Sequence, residues 1–356
     1  MVSLFIHSTA KCSGKSLLAV GMGLRFKQDG YRVGYMKPVG WVPVQVEGGA
    51  VDQDALLAKG VLGLKDPLEL MSPAVMTQEM IQLAYEGQVQ GLHDKIVKSF
   101  QMVSRDKEIV LLEGVGSFFE GGFIGVRGIE LGATLEAKIL LNDTYQDGVA
   151  TIESLLDSRE LLGDRLIGAV INRVTPDKIG FVRRKVLPFL ERQEIRVWAV
   201  IPEDRILRAI SVRYLAEIVS GSVICREDKL DEMTEGFMVG AMSPENALRY
   251  FHRERDIVVI TGGDRPDIQL AALETSVKGI ILTGGFFPHD IILSRAEEKG
   301  IPLIIVDQDT FSVVGRLERA VGRLGPGDTK KVERARELLQ QELDFAALYR
   351  KMGLLS

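Results

Sequence analysis

The chain has 356 residues, of which 46% are hydrophobic, and a formal net charge of −5 at pH 7. This apolar content excludes wholesale disorder, and the mildly acidic balance excludes a non-specific nucleic-acid-binding protein. The apolar runs have only strand length, so we expect no membrane-spanning segment. Two cysteines, Cys12 and Cys225, are too few for a disulfide framework. With no secretory signal evident at the N-terminus, these features predict a cytoplasmic protein.

Short apolar runs alternate with amphipathic stretches along most of the chain. Such alternation predicts an α/β fold with a mainly parallel sheet and helices on both faces. Leu17–Gln28 and Gly148–Leu162 have the pattern of helices. In the first part of the chain the predicted strands are Val2–His7, Arg32–Tyr35, Ile109–Leu112, Ala137–Leu141, Leu166–Ile171 and Arg196–Val200.

The length exceeds that of one ordinary core, which favours two domains. A polar, proline-led connection, Pro202–Arg205, separates two series of strands. We therefore expect a nucleotide-binding domain at 1–205, a smaller α/β domain at 206–323 and a helical tail at 324–356. Strands of the second series are predicted at Ser222–Cys225, Phe237–Gly240, Asp256–Ile260, Gly279–Leu282 and Pro302–Val306.

The tail is predicted to begin at a helix-breaking segment, Gly325-Pro326-Gly327-Asp328. Beyond it, Lys330–Met352 has helical periodicity with mixed charge. This pattern is typical of a surface helix or of a helix that contacts a dimer partner.

The second domain contains a short internal repeat. Ile257–Gly263 and Gly279–Gly285 are both apolar runs that end in Thr-Gly-Gly. If the two strands are parallel neighbours, both loops face one crevice, where open α/β sheets bind ligands. Alternatively, the glycines merely permit tight turns. The residues expected at a second-domain ligand are Thr261, Asp264, Arg265 and Thr283.

The segment Thr9–Ser16 matches a Walker A phosphate-binding loop, with Thr9 where the first glycine usually stands. A predicted strand precedes it and a predicted helix follows it, as the motif requires. Backbone N–H groups of such a loop surround a phosphate chain, the lysine neutralises phosphate oxygens and the serine ligates Mg²⁺. We therefore expect nucleotide binding at Thr9, Lys11, Cys12, Ser13, Gly14, Lys15 and Ser16.

Four further polar residues follow predicted strands or loops. Glu113 ends a buried strand, where a second Mg²⁺-associated carboxylate is typical of P-loop proteins. Asp54 is another candidate, although it could instead cap a helix. Lys37 could reach a γ-phosphate or an anionic substrate, or be a surface lysine. Asn172 could contact an adenine edge through its amide, whereas a strand-end asparagine is more often a turn residue.

These motifs together resemble dethiobiotin synthetase-like P-loop proteins, a family that includes the cobyrinic and cobyric acid synthases. The resemblance covers residues 1–205 and rests on Thr9–Ser16, Gly30–Val39, Asp54, Glu113-Gly114 and Asn172–Val174. It implies ATP and Mg²⁺ as cofactors, with Lys15 and Lys37 on the phosphates as catalytic residues. It also implies Ser16, Asp54 and Glu113 around Mg²⁺, Asn172 near adenine, and a homodimer or higher homo-oligomer.

The second domain resembles a DRTGG domain through Gly240–Pro244 and Thr261–Arg265. Its name-giving motif is degenerate, because Pro266-Asp267-Ile268 follows Arg265. The two domains in this order resemble the N-terminal half of long bacterial phosphate acetyltransferases. We expect the acetyl-transfer domain of those proteins to be missing from this chain.

The substrate side of the predicted site departs from dethiobiotin synthetases. Gly40-Trp41-Val42-Pro43 replaces a stretch rich in hydroxyl groups, and Ser117–Glu120 replaces small residues. Cys12 stands where that family has an acidic residue, and Trp41 either lines a pocket or anchors the following loop. We therefore favour a nucleotide-responsive regulator or sensor with a second, unidentified ligand. The alternatives are an ATP-dependent ligase acting on a carboxylate or carbamate, and a subunit that supports an acetyltransferase in trans.

Overall fold

The computed structural model describes residues 1–320 and 328–355. The chain divides into two compact units, Met1–Glu203 with Pro326–Ser356, and Asp204–Gly325. Residues 325–327 of the helix-breaking segment expected at 325–328, and the expected end of the second domain near residue 323, lie outside the described residues. Within the described part of the chain, no helix combines the length and apolarity needed to cross a bilayer.

The first unit is built on a sheet of six parallel strands in the order β10-β9-β8-β1-β7-β2. These strands are near-continuous apolar runs because both faces of the sheet are covered. All six predicted strands are confirmed, with ends shifted by at most three residues. The strands of this unit are β1 (Val2–His7), β2 (Val33–Met36), β3 (Val39–Gly40), β4 (Pro43–Val46), β5 (Gly49–Asp52), β6 (Ala74–Val75), β7 (Ile109–Glu113), β8 (Lys138–Thr144), β9 (Leu166–Val174) and β10 (Val197–Pro202).

Helices connect these strands and bury apolar side chains against the sheet. Between β2 and β7 the chain also forms two small paired elements, β3 with β6 and the hairpin of β4 with β5. The helices of this part are α1 (Lys15–Gln28), α2 (Gln53–Leu62), α3 (Leu68–Met71), α4 (Gln78–Tyr85), α5 (Leu92–Val103), α6 (Gly128–Thr134), α7 (Gly148–Leu162), α8 (Pro176–Phe181) and α9 (Leu187–Arg192).

The second unit has a five-stranded sheet in the order β12-β17-β16-β15-β14, in which only the β12–β17 pair is antiparallel. Alternate residues of its strands enter two separate cores, one on each face. Its strands are β11 (Ile210–Ser211), β12 (Ser222–Cys225), β13 (Met233–Thr234), β14 (Gly236–Val239), β15 (Ile257–Gly262), β16 (Gly279–Thr283) and β17 (Leu303–Ile305). Its helices are α10 (Arg205–Arg208), α11 (Val212–Val219), α12 (Pro244–Phe251), α13 (Pro266–Leu273), α14 (Asp290–Lys299) and α15 (Thr310–Ala320).

The tail forms two helices, α16 (Thr329–Glu342) and α17 (Phe345–Met352), where the periodicity predicts one. The division arises at Asp344, whose carboxylate accepts a hydrogen bond from the Ala347 N–H and so caps a new helix. Both helices belong to the first unit. Leu339 packs over Gly21 of α1, and the Tyr349 hydroxyl donates to Asp29 at 2.6 Å.

Candidate functional site

The loop between β1 and α1 has the conformation that its glycine dictates. Gly14 precedes the helix with a φ of +91°, in the left-handed region that favours glycine. A Cβ atom on Gly14 would also lie 2.8 Å from Asn172 Nδ2. The loop Thr9–Ser16, called here the phosphate loop, therefore has two independent reasons to require glycine at this position.

The ends of β8 and β9 hold the phosphate loop in place. Asn142 and Asn172 each donate a 2.9 Å hydrogen bond from Nδ2 to the Ser13 carbonyl oxygen. Asp143 accepts from the Thr9 N–H at 2.8 Å and from the Thr9 hydroxyl at 2.9 Å. A glycine at position 9 could make only the first of these two bonds, so the threonine strengthens the attachment of the loop.

Lys15 is buried beneath the loop. Its Nζ donates to Ser8 Oγ and to the Gly116 carbonyl oxygen, both at 2.8 Å. Burial lowers the pKa of Lys15, and Glu113 opposes this effect. The ammonium group thus has two uncharged acceptors where an anion would stabilise its charge better.

A buried acidic group lies beside Ser16. We call Asp52, Asp54 and Glu113 the carboxylate cluster. Glu113 accepts hydrogen bonds from Ser16 Oγ at 2.7 Å and from the Tyr35 hydroxyl at 2.6 Å.

Lys37 lies among these three carboxylates. Its Nζ is 3.2 Å from Asp52 Oδ1 and 3.4 Å from Glu113 Oε1, and it donates a hydrogen bond to Asp54. Burial raises the pKa of Asp52 and of Glu113, while Lys37 opposes both shifts. Burial alone would lower the pKa of Lys37, but the three carboxylates outweigh it and raise that pKa. When all four groups are ionised, the carboxylate cluster with Lys37 is negatively charged and favours a cation.

Asp52 has a structural role that the sequence analysis missed. Its carboxylate caps α2 by accepting from the Asp54 N–H at 2.9 Å, and it also accepts from the Val42 N–H at 3.1 Å. The helix cap considered for Asp54 is therefore Asp52, two residues earlier. Asp52 consequently orients both the start of α2 and the ammonium of Lys37.

The donor set around Ser16 suits Mg²⁺. Hydroxyl and carboxylate oxygens are hard ligands, and Mg²⁺ usually takes only one or two from protein. Among the described residues no three His, Cys, Asp or Glu side chains converge on one metal position. The Ser16 hydroxyl with Glu113 and Asp54 nearby therefore fits a cation that takes its other ligands from phosphate and water.

The other predicted loop residues face outward. Cys12 is exposed with a φ of +54°, and Lys11 is exposed with its Nζ 3.5 Å from Glu120 Oε1. The Asn172 amide contacts the phosphate loop through Ser13, and its Oδ1 accepts from the Arg173 N–H at 2.8 Å. The structure thus brings the predicted phosphate and Mg²⁺ residues together at the carboxyl edge of one sheet.

In the second unit, the two Thr-Gly-Gly loops do follow parallel neighbours, since β15 pairs with β16. The hydroxyls of Thr261 and Thr283 are buried; Thr261 donates to the Gly240 carbonyl oxygen at 3.1 Å, and Thr283 is 2.8 Å from the Thr310 hydroxyl. Arg265 forms a two-pronged ion pair with Asp267 at 3.0 Å.

Asp264 is exposed beside this ion pair. Of the four residues expected at a second-domain ligand, the two threonines and Arg265 therefore make contacts within the unit.

Sequence reasoning missed Tyr35, Asn142 and Asp143 as well as Asp52. Asn142 and Asp143 end a predicted apolar run, which is the same signal that identified Glu113. Asp52 precedes a helix two residues before Asp54, a signal for a cap. Tyr35 gave no such signal, because its role depends on a neighbouring strand.

Two family models match the chain. An AAA domain model matches residues 2–211, and a DRTGG domain model matches residues 214–320. The phosphate acetyltransferase of Synechocystis sp. is 26% identical over 96% of this chain and 50% of its own length. That of Pseudomonas aeruginosa is 24% identical over 99% of this chain and 52% of its own length. The chain thus spans about half the length of the curated relatives it matches.

Solved structures with similar parts include the MinD cell division ATPase of Pyrococcus furiosus, at 16% identity and a TM-score of 0.37 over 58% of this chain and 86% of that one. The CBS and DRTGG domains of a Clostridium perfringens pyrophosphatase match at 18% identity and a TM-score of 0.27, over 45% of this chain and 77% of that one. The family assignment rests on the sequence matches. A DRTGG domain follows the AAA domain, an order consistent with the N-terminal half of long phosphate acetyltransferases. The chain belongs to the AAA domain family of P-loop proteins.

Proposed function

We propose that this chain is a nucleotide-responsive regulatory protein that binds ATP with Mg²⁺ at the phosphate loop. One observation carries the proposal. Lys15 and Ser16 lie side by side at the N-terminus of α1. The ammonium of Lys15 is buried, and the hydroxyl of Ser16 donates to Glu113 of the carboxylate cluster. A polyphosphate and its cation need these two chemistries in adjacent positions.

The phosphate side follows from charge. Lys15 is buried against uncharged oxygens, and the N-terminus of α1 adds the partial positive charge of its unpaired N–H groups. A phosphate chain in the loop would provide both with a negative partner. In this arrangement Lys15 binds and orients the β- and γ-phosphates.

The cation side follows from the carboxylate cluster. Its three carboxylates exceed the charge of Lys37, and two of them, Asp52 and Glu113, are buried. Ser16, Glu113 and Asp54 would hold Mg²⁺, either directly or through water. When bound, Mg²⁺ neutralises negative charge on the phosphates.

The regulatory role is inferred from the relatives. Those that match nearly the whole chain are phosphate acetyltransferases, of which the chain spans about half. The reaction regulated would then be acetyl transfer to phosphate, whether catalysed on the same polypeptide or by a separate subunit. The large side chains at Trp41 and Phe119, where dethiobiotin synthetases have small ones, argue against the activity of those enzymes.

An ATP-dependent ligase is the second candidate, and Lys37 is the observation that favours it. Its pKa is raised by the cluster, so it stays charged beside the site of the γ-phosphate. In a ligase it would offset charge on the phosphoryl group in transfer. Phosphate release that rises only when a carboxylate or diamine is added would support the ligase and contradict a purely regulatory site.

Thermal unfolding with and without nucleotide tests the binding proposal. ATP–Mg²⁺ at 100 times its Kd should add about 2.7 kcal/mol of stability. For a unit of this size, that raises Tm by about 5–10 °C. Lys15→Ala should abolish the shift, and Lys98→Ala, which removes an exposed lysine of α5, should keep it. A wild-type protein that shows no shift with ATP, GTP or CTP would refute nucleotide binding.

A further inference from the structure

A cavity of about 620 Å³ opens beside the phosphate loop. This volume is within the range of sites that hold small organic ligands. It is formed by one residue of the phosphate loop, the segment after β3, the helix α4, and the loop between β7 and α6. The lining residues used below are Lys11, Trp41, Tyr85, Phe119, Glu120 and Arg127, together with the glycine turn Gly121–Gly122 and Phe123.

Four exposed aromatic rings line the cavity. Trp41, Tyr85, Phe119 and Phe123 are between 41% and 81% exposed. Three of them contact a second ring. The ring centroid of Phe119 lies 4.4 Å from that of buried Phe118, and Tyr85 and Phe123 meet edge-on with their ring centroids 5.1 Å apart. Exposed apolar rings gathered in a concave surface are favourable for stacking a flat molecule.

The cavity also carries positive charge. Lys11 and Arg127 outnumber Glu120, and Glu120 is already engaged by Lys11 and by the Ser117 N–H at 3.3 Å. Arg127 has a distant carboxylate neighbour, Glu130, at 3.9 Å, and an exposed pair of this kind contributes little.

The glycine turn positions Arg127. Gly121 has a φ of +102°, and a Cβ there would lie 1.8 Å from the Val126 carbonyl oxygen. A Cβ on Gly122 would lie 2.7 Å from Arg127 Nε. The guanidinium therefore lies directly over backbone that only glycine leaves open, at the edge of the aromatic cavity.

We propose that this cavity binds an organic anion with a flat, apolar ring, whose acidic group pairs with Arg127 and Lys11. The inference rests on the proposed nucleotide site, because Lys11 belongs to the phosphate loop and the ligand would be the second input beside ATP. The ring would lie among Trp41, Phe119 and Phe123. Lys11 would then contact both ligands or change partner between Glu120 and the anion.

Two matched probes separate the charge from the ring. Anilinonaphthalene sulfonate is a flat anion, and N-phenyl-1-naphthylamine has the same rings without the sulfonate. Energy transfer from tryptophan to each probe is measured in titrations, and Trp41→Phe identifies the part of the signal that comes from the cavity. Arg127→Gln should weaken the anionic probe about tenfold, as expected for a charge-assisted bond, and change the neutral probe less than about twofold.

Phe119→Ala should weaken both probes. Phe311→Ala removes a highly exposed ring of the second unit and should weaken neither, which excludes general binding to exposed aromatics. If Arg127→Gln leaves the anionic probe unchanged, or if Phe311→Ala reduces binding as much as Phe119→Ala, the assignment is overturned. It is also overturned if sedimentation shows that these rings are covered by a second copy of the chain that Phe119→Ala releases.

Calorimetry with ATP–Mg²⁺ on the same variants keeps the two proposals apart. Arg127→Gln and Phe119→Ala should retain ATP binding, and Lys15→Ala should retain probe binding. If the wild-type protein does not bind ATP, the nucleotide site is refuted. Probe binding that still depends on Arg127 and Phe119 would then support the cavity by itself. Probe binding that disappears in Lys15→Ala but not in Arg127→Gln contradicts the cavity.

Discussion

The Tyr35 hydroxyl donates a 2.6 Å hydrogen bond to Glu113 Oε2, between the neighbouring strands β2 and β7. Ser16 donates to the other carboxylate oxygen at 2.7 Å. Because both Tyr35 and Glu113 are buried, the carboxylate depends on such donors to remain ionised. Tyr35 therefore orients Glu113 towards the start of α1, a role that its sequence context does not reveal.

Tyr35→Phe should lower the free energy of unfolding by about 1.5–3 kcal/mol, the range for a hydrogen bond to a charged group. The substitution keeps the ring and removes one donor from a buried carboxylate. Urea denaturation monitored by circular dichroism measures the loss. Tyr85→Phe, at an exposed tyrosine, is the matched control and should change stability little. Equal effects of the two substitutions would contradict the role given to Tyr35.

Gly14→Ala should remove the ATP–Mg²⁺ thermal shift and reduce stability by about 1–2 kcal/mol, the cost of a left-handed non-glycine residue. The added Cβ also meets the Asn172 amide that holds the phosphate loop. Gly60→Ala is the control, because no atom of the described residues lies within 4 Å of its Cβ position in α2. That variant should be stabilised by up to about 1 kcal/mol. A Gly14→Ala protein with the full thermal shift would refute this account of the loop.

His7 should make the protein less stable at acid pH. Its ring is fully buried, and neither ring nitrogen has a hydrogen-bond partner in the part of the chain that the structure describes. Burial, with Lys15 nearby, lowers the pKa of His7 to about 3. The unfolded chain therefore takes up this proton first, near the ordinary value of 6.5. The stability that neutral His7 contributes is therefore fully present above pH 6.5 and is lost as the pH falls towards 3. Between pH 7 and pH 5 this amounts to about 2 kcal/mol.

His7→Phe keeps a flat ring and cannot be protonated in either state. The difference in unfolding free energy between pH 7 and pH 5 should shrink by about 2 kcal/mol relative to wild type. Comparing this difference, rather than absolute stability, separates the titration from any packing defect of the variant. His252→Phe, at an exposed histidine, should leave the wild-type pH dependence in place. An unchanged pH dependence in His7→Phe would show that His7 contributes nothing to it.

The tail and α1 should be energetically coupled through Gly21 and Leu339. A Cβ on Gly21 would lie 2.7 Å from Leu339 Cδ1, so Gly21→Ala should overpack the contact and cost about 1–3 kcal/mol. Leu339→Ala alone should cost about 2–5 kcal/mol, because Leu339 is buried. The loss of stability in the double variant should be smaller than the sum of the two single losses, by about 0.5–3 kcal/mol. Additive losses would mean that the two residues do not pack together.

Much of the fold could be predicted because its signals are local. Each strand of the six-stranded and five-stranded sheets is a largely apolar run, and the phosphate loop is a continuous motif between a strand and a helix. Glu113 was identified because it ends such a run. The segment between β2 and β7 was not predicted in detail, since one of its two short strand pairs joins residues distant in sequence, as when Val39 pairs with Ala74.

Local residue patterns are sufficient to predict the strand, the glycine-restricted loop and the helix that together make a P-loop. The electrostatics around this loop depend instead on tertiary contacts. Lys37, Asp52 and Glu113 come from three separate segments, and Tyr35 lies 78 residues before the carboxylate it orients. Their charges and pKa values depend on burial and on neighbours within a few ångströms, which exist only once the sheet has assembled.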